Sequence, residues 1–343
     1  MRVAPLVAHR QFHLVEQAPL PLAAGEVRVE VSHVGICGSD IHYFAEGAIG
    51  DVPCVYPMVL GHEPVGRIQA LGAGVTGWRV GDPVICEPAL YCYHCEFCLA
   101  GRHNVCANLR FLSTPAEPGF FRDLVDLPLT NILAVPPGIG LAEGALVEPL
   151  AVVLHSMEFA QPQVGETAVV FGCGPIGLLT IAVLKLAGVR RIWAIEPVAF
   201  RRDMALAAGA DAVMAPSAEA VPSIVRETAG RGVDIAIDCV AKDGSLNLAM
   251  HAVCNRGRTV ITGIPGEKTV DFEFHVMRRK ELFFYNVRRS NHDSHRALAL
   301  LTAHPKLMGG ILTHHRPFDA IQSAFETLER VEDGVGKMVL DLN

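Results

Sequence analysis

The segment from Glu26 to Val34 reads EVRVEVSHV, with apolar and polar positions alternating as they do on a half-buried strand. Short pieces of the same kind recur through the first 150 residues: GHEPVGRIQALG, WRVGDPVICEP and NILAVPPG, each bounded by Gly or Pro. This half is expected to be β-rich and irregular. The period changes near residue 165. ETAVVFGCGPIGLLTIAVLKLAG predicts an apolar strand, a glycine turn and a helix. RIWAIE predicts a second strand, AFRRDMALAAGA a second helix and DAVM a third strand. After a helical AVPSIVRETAG come a strand at VDIAIDCV, a helix from about Ser245 to Val253, and strands at RTVITGI and ELFFYNV. Strands alternating with helices predict a parallel sheet covered on both faces. From His292 onward, HRALALLTAH and AIQSAFETLER read as helices and KMVLDL as a strand. That strand has no evident partner in the parallel sheet, so the tail is assigned to the first domain. The expected fold is α/β: a β-rich domain over 1–150 and 290–343, and a doubly wound parallel-sheet domain over 151–289.

Composition narrows the function. The chain has 343 residues, half of them hydrophobic, enough for two domains with large cores. No apolar run approaches the roughly 20 residues that span a bilayer. The N-terminus MRVAPLVAHRQF lacks the long apolar stretch of a secretory signal, so a cytoplasmic protein is expected. A net charge of -7 argues against nucleic acid as the main partner, because phosphate binding needs a basic surface.

There are ten cysteines, and in a reducing compartment clustered thiols point to metal or catalysis rather than disulfides. Cys92, Cys95, Cys98 and Cys106 stand in the pattern C-x2-C-x2-C-x7-C. Four thiolates close a tetrahedron around Zn2+ at about 2.3 Å per bond and leave no open position. This group is therefore expected to staple a loop and to do no chemistry.

The turn VVFGCGPIG places Gly172, Gly174 and Gly177 as G-x-G-x-x-G between an apolar strand and an apolar helix, the context a dinucleotide site requires. The first glycine makes the turn, the second admits the pyrophosphate, and the third lets helix and strand pack closely. Pro175 and Ile176 complete the turn at the helix N-terminus, whose unpaired N–H groups face the phosphates. Glu196 ends the second strand, 19 residues after Gly177. A carboxylate there accepts from the adenosine ribose hydroxyls and repels a 2'-phosphate, which favours NAD over NADP. Arg201 and Arg202 follow closely, and arginine can welcome that phosphate.

Two further segments look chemical. GICGSDIHY brings Cys37, Ser39, Asp40, His42 and Tyr43 after a strand, and LGHEPVG brings His62 and Glu63 after another. VEPLAV holds Glu148. A catalytic zinc takes about three protein ligands and keeps room for water or substrate. Cys37 and His62 can supply sulfur and nitrogen, and Glu63 or Glu148 oxygen.

Together GICGSDIHY, PMVLGHE, the four-cysteine lobe, GRHNVC, EGALVEPLAV, GCGPIGL and NVRRSN make the chain resemble the zinc-dependent medium-chain alcohol dehydrogenases, and among them the sorbitol (polyol) dehydrogenases. The resemblance implies a GroES-like catalytic domain, a Rossmann NAD-binding domain, two zinc ions per chain and a homo-oligomer, with a tetramer favoured. It implies Cys37, His62 and Glu63 as catalytic-zinc ligands. Glu148 stands where classical alcohol dehydrogenases have a cysteine, reaching the metal directly or through water. It matches Cys92, Cys95, Cys98 and Cys106 to the structural-zinc lobe and Tyr43 to a substrate-side tyrosine. Arg288 is expected near the substrate. Arg289 stands where that family usually has tyrosine, and a second cation there favours an acidic polyol such as a sugar acid. Phe120 is a weaker pocket candidate.

A zinc-held alcohol loses its proton and passes a hydride to the nicotinamide. Ser39, two residues from Cys37, is the expected first proton relay, and His42 the next. Asp40 is expected to hold a ligand in place. The substrate class is a secondary alcohol of a polyol or sugar acid (sorbitol, xylitol, galactitol or L-idonate type). The alternatives are L-threonine or 2,3-butanediol dehydrogenase chemistry, and a non-catalytic nucleotide-binding protein of the same fold.

Overall fold

The computed structural model describes residues 1–242 and 244–343. They divide into two compact units: Met1–Glu148 with Ser294–Pro305 and Leu312–Asn343, and Pro149–Asp293 with Lys306–Ile311. The short stretch 306–311, expected with the tail in the first domain, groups with the second.

In the first unit the alternating segment forms the strand Glu26–Gly35, with Val27, Val29, Val31 and Val34 turned into the core. It lies inside a seven-stranded sheet ordered Ile132–Ala134, Pro83–Cys86, Glu63–Leu71, Glu26–Gly35, Lys337–Asp341, Leu312–Pro317, with Leu124–Pro128 also paired to Glu26–Gly35. The C-terminal strand KMVLD thus has its partner in the first unit, where it runs antiparallel to Glu26–Gly35. The register sets Gly35 opposite Glu63 on one side and opposite Val339 on the other.

The core of this unit joins both ends of the chain. Phe325, on the helix Ile321–Arg330, packs its ring 4.7 Å from Phe12, 5.2 Å from Phe44 and 5.8 Å from Phe121. The tail is held by this cluster as well as by the sheet.

The second unit is a six-stranded parallel sheet ordered Ala212–Met214, Arg191–Ile195, Thr167–Phe171, Val233–Asp238, Val253–Ile261, Phe283–Asn286. In chain order this is 3-2-1-4-5-6, the doubly wound dinucleotide-binding arrangement. The central strand Thr167–Phe171 is buried along its whole length, as a strand covered on both faces must be. The order reverses between it and Val233–Asp238, and ligands of such sheets bind at the strand C-termini beside that reversal. The fold class expected from the sequence is the one observed.

Several elements were not expected. Leu312–Pro317 reads LTHHRP, too polar to signal a strand, yet it pairs in parallel with Lys337–Asp341. Gly38–Ala45 is a helix where the sequence suggested only a post-strand segment. Val147–Ala160 is a long helix that is apolar nearly all round, so it lacks the stripe that marks a surface helix. Among the described residues no helix is long and apolar enough to cross a membrane.

Phe325→Ala empties the centre of the first unit's aromatic cluster and should cost about 3–5 kcal/mol. Calorimetry should show an earlier first transition, while isolated second-unit signals such as Trp193 fluorescence change late.

Candidate active site

Cys37 leaves the strand Glu26–Gly35 and becomes the N-cap of the helix Gly38–Ala45. His62 and Glu63 sit where Glu63–Leu71 begins, so they open a long strand and follow only the short strand Met58–Val59. One ligand atom from each of Cys37, His62 and Glu63 lies within 4.8 Å of the others. His62 and Glu63 are 6% and 1% exposed.

Asp40 organises this group. Its Oδ2 accepts from the Cys37 backbone N–H at 3.1 Å. Its Oδ1 accepts from the Gly61 N–H at 3.2 Å and from the Ser113 hydroxyl at 3.1 Å, and lies 3.4 Å from His62 Nδ1. One carboxylate thereby ties the Cys37 turn to the His62 turn. Burial alone would raise the Asp40 pKa, but the His62 charge and these bonds outweigh it and hold it below the usual carboxylate range. Burial would likewise lower His62, and the negative charges of Asp40 and Cys37 raise it well above the ordinary imidazole value. With Nδ1 turned to Asp40, His62 Nε2 is the nitrogen left for a cation. Ser39 Oγ lies 3.4 Å from that Nε2. His42 Nδ1 lies 2.9 Å from Glu46 Oε1, one turn along the helix.

Glu63 is held from behind. Its carboxylate pairs with the Nζ of Lys337, itself 1% exposed, and Lys337 Nζ also donates to the Ile36 carbonyl at 2.8 Å. Burial would lower the Lys337 pKa, but Glu63 and then Cys37 raise it, with a smaller contribution from Glu148. Gly35 makes the pair possible, since a Cβ there would stand 2.0 Å from Glu63 Oε2. Glu63 Oε1 is buried without a hydrogen-bond partner among the described residues. A half-buried sulfur, a buried nitrogen and an orphaned carboxylate oxygen fit a divalent ion of zinc's preferences. Glu148 is not a member of this close group; it lies in the first turn of the helix Val147–Ala160.

The four-cysteine lobe is assembled as its spacing suggests. Sγ–Sγ separations are 3.9 Å for Cys92–Cys98, 3.9 Å for Cys95–Cys106 and 3.4 Å for Cys92–Cys106. A zinc tetrahedron with bonds of about 2.3 Å needs sulfurs about 3.8 Å apart. All ten cysteines are free of disulfides. The His94 N–H, chiefly, brings the Cys92 thiol down to about 5, and N–H groups beginning with that of Cys98 lower Cys95, whereas burial pushes the Cys98 thiol up to about 12.

In the second unit the glycine turn has the geometry its sequence implies. Gly172 has φ +83°, and a Cβ there would meet Val240. Gly174 caps the helix Pro175–Leu186 and faces open space. A Cβ on Gly177 would stand 1.9 Å from the Gly172 carbonyl oxygen. Pro175 and Ile176 form the first helical positions. Glu196 follows the strand Arg191–Ile195 and accepts from the Cys173 N–H at 2.7 Å and the Val198 N–H at 2.9 Å. Arg202 donates to the Glu196 and Pro197 carbonyls, whereas the buried Arg201 Nε has no partner among the described residues.

Two family models match the chain. The alcohol dehydrogenase GroES-like domain matches residues 23–137, and the zinc-binding dehydrogenase domain matches residues 175–303. The chain belongs to the zinc-dependent medium-chain alcohol dehydrogenase superfamily. D-xylulose reductase A of Aspergillus niger is 34% identical over 335 residues, 94% of this chain and 92% of that protein. Sorbitol dehydrogenase of Bacillus subtilis (strain 168) is 32% identical over 277 residues, 80% of this chain and 78% of its own. Among solved structures, galactitol-1-phosphate dehydrogenase from Escherichia coli superposes with a TM-score of 0.87 at 26% identity, covering 100% of both chains. 2R,3R-butanediol dehydrogenase from Bacillus subtilis gives a TM-score of 0.87 at 28% identity, covering 100% of this chain and 99% of that one.

Within this dehydrogenase the expected substrate residues are less uniform. Tyr43 is 4% exposed and belongs to the first unit's hydrophobic core. Phe120 is 0% exposed and packs in the same core. Arg288 and Arg289 follow the strand Phe283–Asn286 in the second unit, Arg288 exposed and Arg289 half-buried with φ +55°. Sequence reasoning missed Lys337, Ser113 and Gly35. A lysine opening the apolar run KMVLDL was the one available signal, because a charge at the head of a core strand needs a buried partner. It also missed a grouping of His155, Glu158 and Asp293, in which the histidine pairs with both acids.

Cys95→Ser should remove one zinc equivalent per chain and lower the melting temperature by several degrees, with turnover per folded molecule largely kept. Metal analysis and calorimetry on the same sample read both; lost turnover at unchanged melting would contradict a stapling role.

Proposed function

We propose that the chain is an NAD- and zinc-dependent oxidoreductase that transfers a hydride between NAD and a secondary alcohol of a polyol or sugar acid. The observation that supports it most is the close group of Cys37, His62 and Glu63 with an orphaned carboxylate oxygen, in a chain whose relatives are named for xylulose and sorbitol.

Cys37, His62 and Glu63 hold the catalytic zinc, with Glu148 in reserve as a direct or water-bridged donor, and Cys92, Cys95, Cys98 and Cys106 hold a structural one. When bound, zinc would supply Lewis-acid polarisation of an alcohol oxygen, and NAD would supply the hydride acceptor. Asp40 keeps the His62 ring turned so that Nε2 faces the metal side. Ser39 Oγ, beside that nitrogen, takes the alcohol proton. His42, anchored at Nδ1 by Glu46, is the next proton carrier, through Nε2. Gly172, Gly174, Pro175, Ile176 and Gly177 seat the cofactor pyrophosphate, Glu196 the adenosine ribose, and Arg201 the same end of the cofactor. Arg288 and Arg289 supply positive charge suited to a carboxylate-bearing polyol. A cytoplasmic homotetramer completes the reading.

A butanediol-type substrate is the second reading, favoured by the likeness to 2R,3R-butanediol dehydrogenase. Initial rates on sorbitol, xylitol, galactitol, L-idonate, L-threonine and 2,3-butanediol, each with NAD and NADP, separate the two. The polyol reading requires the highest kcat/KM on a polyol or sugar acid, and preference for threonine or butanediol ends it. Metal analysis should find two zinc per chain. Glu196→Gln, whose amide oxygen still accepts a backbone N–H, should weaken NAD by about tenfold and NADP by much less. Equal losses, read by fluorescence titration, would mean the ribose contact is misassigned.

A further inference from the structure

Lys337 is the buried charge that the hydride-transfer scheme leaves unused. It opens the strand Lys337–Asp341 and is 1% exposed. An ammonium so placed is expensive unless it is paired and hydrogen-bonded. Both conditions hold: Nζ pairs with Glu63 and donates to the Ile36 carbonyl at 2.8 Å. Ile36 is the residue before Cys37, so one lysine touches both chain segments that carry the ligand group.

The arrangement is built into the sheet. Gly35 lies opposite Glu63 and opposite Val339, and Lys337 begins that same third strand. A Cβ at Gly35 would stand 2.0 Å from Glu63 Oε2 and 3.0 Å from Lys337 Cε. The glycine therefore vacates the space in which carboxylate and ammonium meet. Glu63 Oε2 faces the ammonium while Oε1 is buried without a hydrogen-bond partner among the described residues. The carboxylate thus has one oxygen neutralised and one to offer.

We propose that Lys337 is a positioning residue whose fixed ammonium competes with the metal for Glu63 and so sets how firmly that carboxylate binds the metal. The proposal rests on the zinc reading above and deepens it. A thiolate and a carboxylate together cancel the charge of a divalent ion. An ammonium against the same carboxylate withdraws part of its negative charge, weakening its bond to the metal and leaving room for an incoming hydroxyl. Because Nζ is tethered to a strand-end carbonyl, it stays in place when the carboxylate shifts.

The test is a double-mutant cycle over Lys337→Met and Glu63→Gln. Its readouts are the zinc dissociation constant of the weaker site, by competition with a chromophoric chelator, and the visible spectrum of the Co2+-substituted protein. Lys337→Met should tighten zinc about tenfold, opposite in sign to the loss usual when a group behind a metal ligand is removed, and dim the Co2+ bands as the carboxylate joins the metal fully. Glu63→Gln should loosen zinc at least about tenfold, because the lysine then faces the metal unpaired. The double variant should regain most of that loss. Unchanged affinity and spectrum in Lys337→Met would overturn the proposal. If Lys337→Met does not fold, Glu63→Gln is compared with the double variant, where neither group is left as an unpaired carboxylate, and equal affinities overturn it. Cys37→Ser separates the two levels: if both zinc equivalents survive that change, the zinc reading itself fails and takes this proposal with it. If one is lost while the cycle shows no coupling, only the role of Lys337 fails.

Discussion

The ligand group depends on one register. Glu26–Gly35 pairs with Glu63–Leu71 so that Gly35 faces Glu63, and with Lys337–Asp341 so that the same glycine faces Val339. A shift of one residue would send every side chain of a strand to the other face of the sheet. Here it would also place a side chain where the Glu63 carboxylate now lies. The alternating valines of Glu26–Gly35 prevent that shift, because their burial holds the strand in place. Hydrophobic pattern and site geometry are one constraint acting at two ends of a strand.

Buried charge is handled differently in the two units. In the first, Asp40 and Glu63 are compensated by His62, backbone N–H groups and Lys337, so full charges meet full charges. In the second, the glycine turn works through the absence of side chains, and Glu196 is satisfied by the backbone N–H groups of Cys173 and Val198. A turn lined by peptide donors suits a long anionic cofactor, whose charge is spread over several oxygens. A cluster of thiolate, imidazole and carboxylate suits a compact cation.

Much of this was legible in the chain. The parallel sheet followed from alternating apolar strands and helices, and the glycine turn from its place between two of them. Cys37 and His62 stood out as sulfur and nitrogen donors near strand ends, with the oxygen left between Glu63 and Glu148, and the family resemblance named Glu63 with them. What remained hidden depended on distant pairing. Lys337 lies 274 residues after Glu63 in sequence, and nothing local marks it as the partner of a carboxylate. Ser113 donates to Asp40 from a loop whose sequence, FLSTPAEPG, reads only as a turn. The strand Leu312–Pro317 was missed because its histidines, threonine and arginine alternate half-buried with exposed, without an apolar face. Tyr43, expected on the substrate side from the family resemblance, and Phe120 lie in the first unit's core, and such burial is a property that the local sequence does not reveal.

The contrast between the two metal-type clusters shows why one reads as structural and the other as reactive. Cys92, Cys95, Cys98 and Cys106 come from one short stretch, offer four like donors and sit at tetrahedral separations. Such a set would close a tetrahedron around one ion, and the energy of binding it would go into holding the loop. The Cys37 group draws on two strand ends, mixes three donor types and includes an oxygen whose partner is another protein charge. An incomplete, mixed and internally contested set is what allows a site to exchange one oxygen for another. The first arrangement suits stability and the second exchange, and the two sets stand on separate segments with no donor in common.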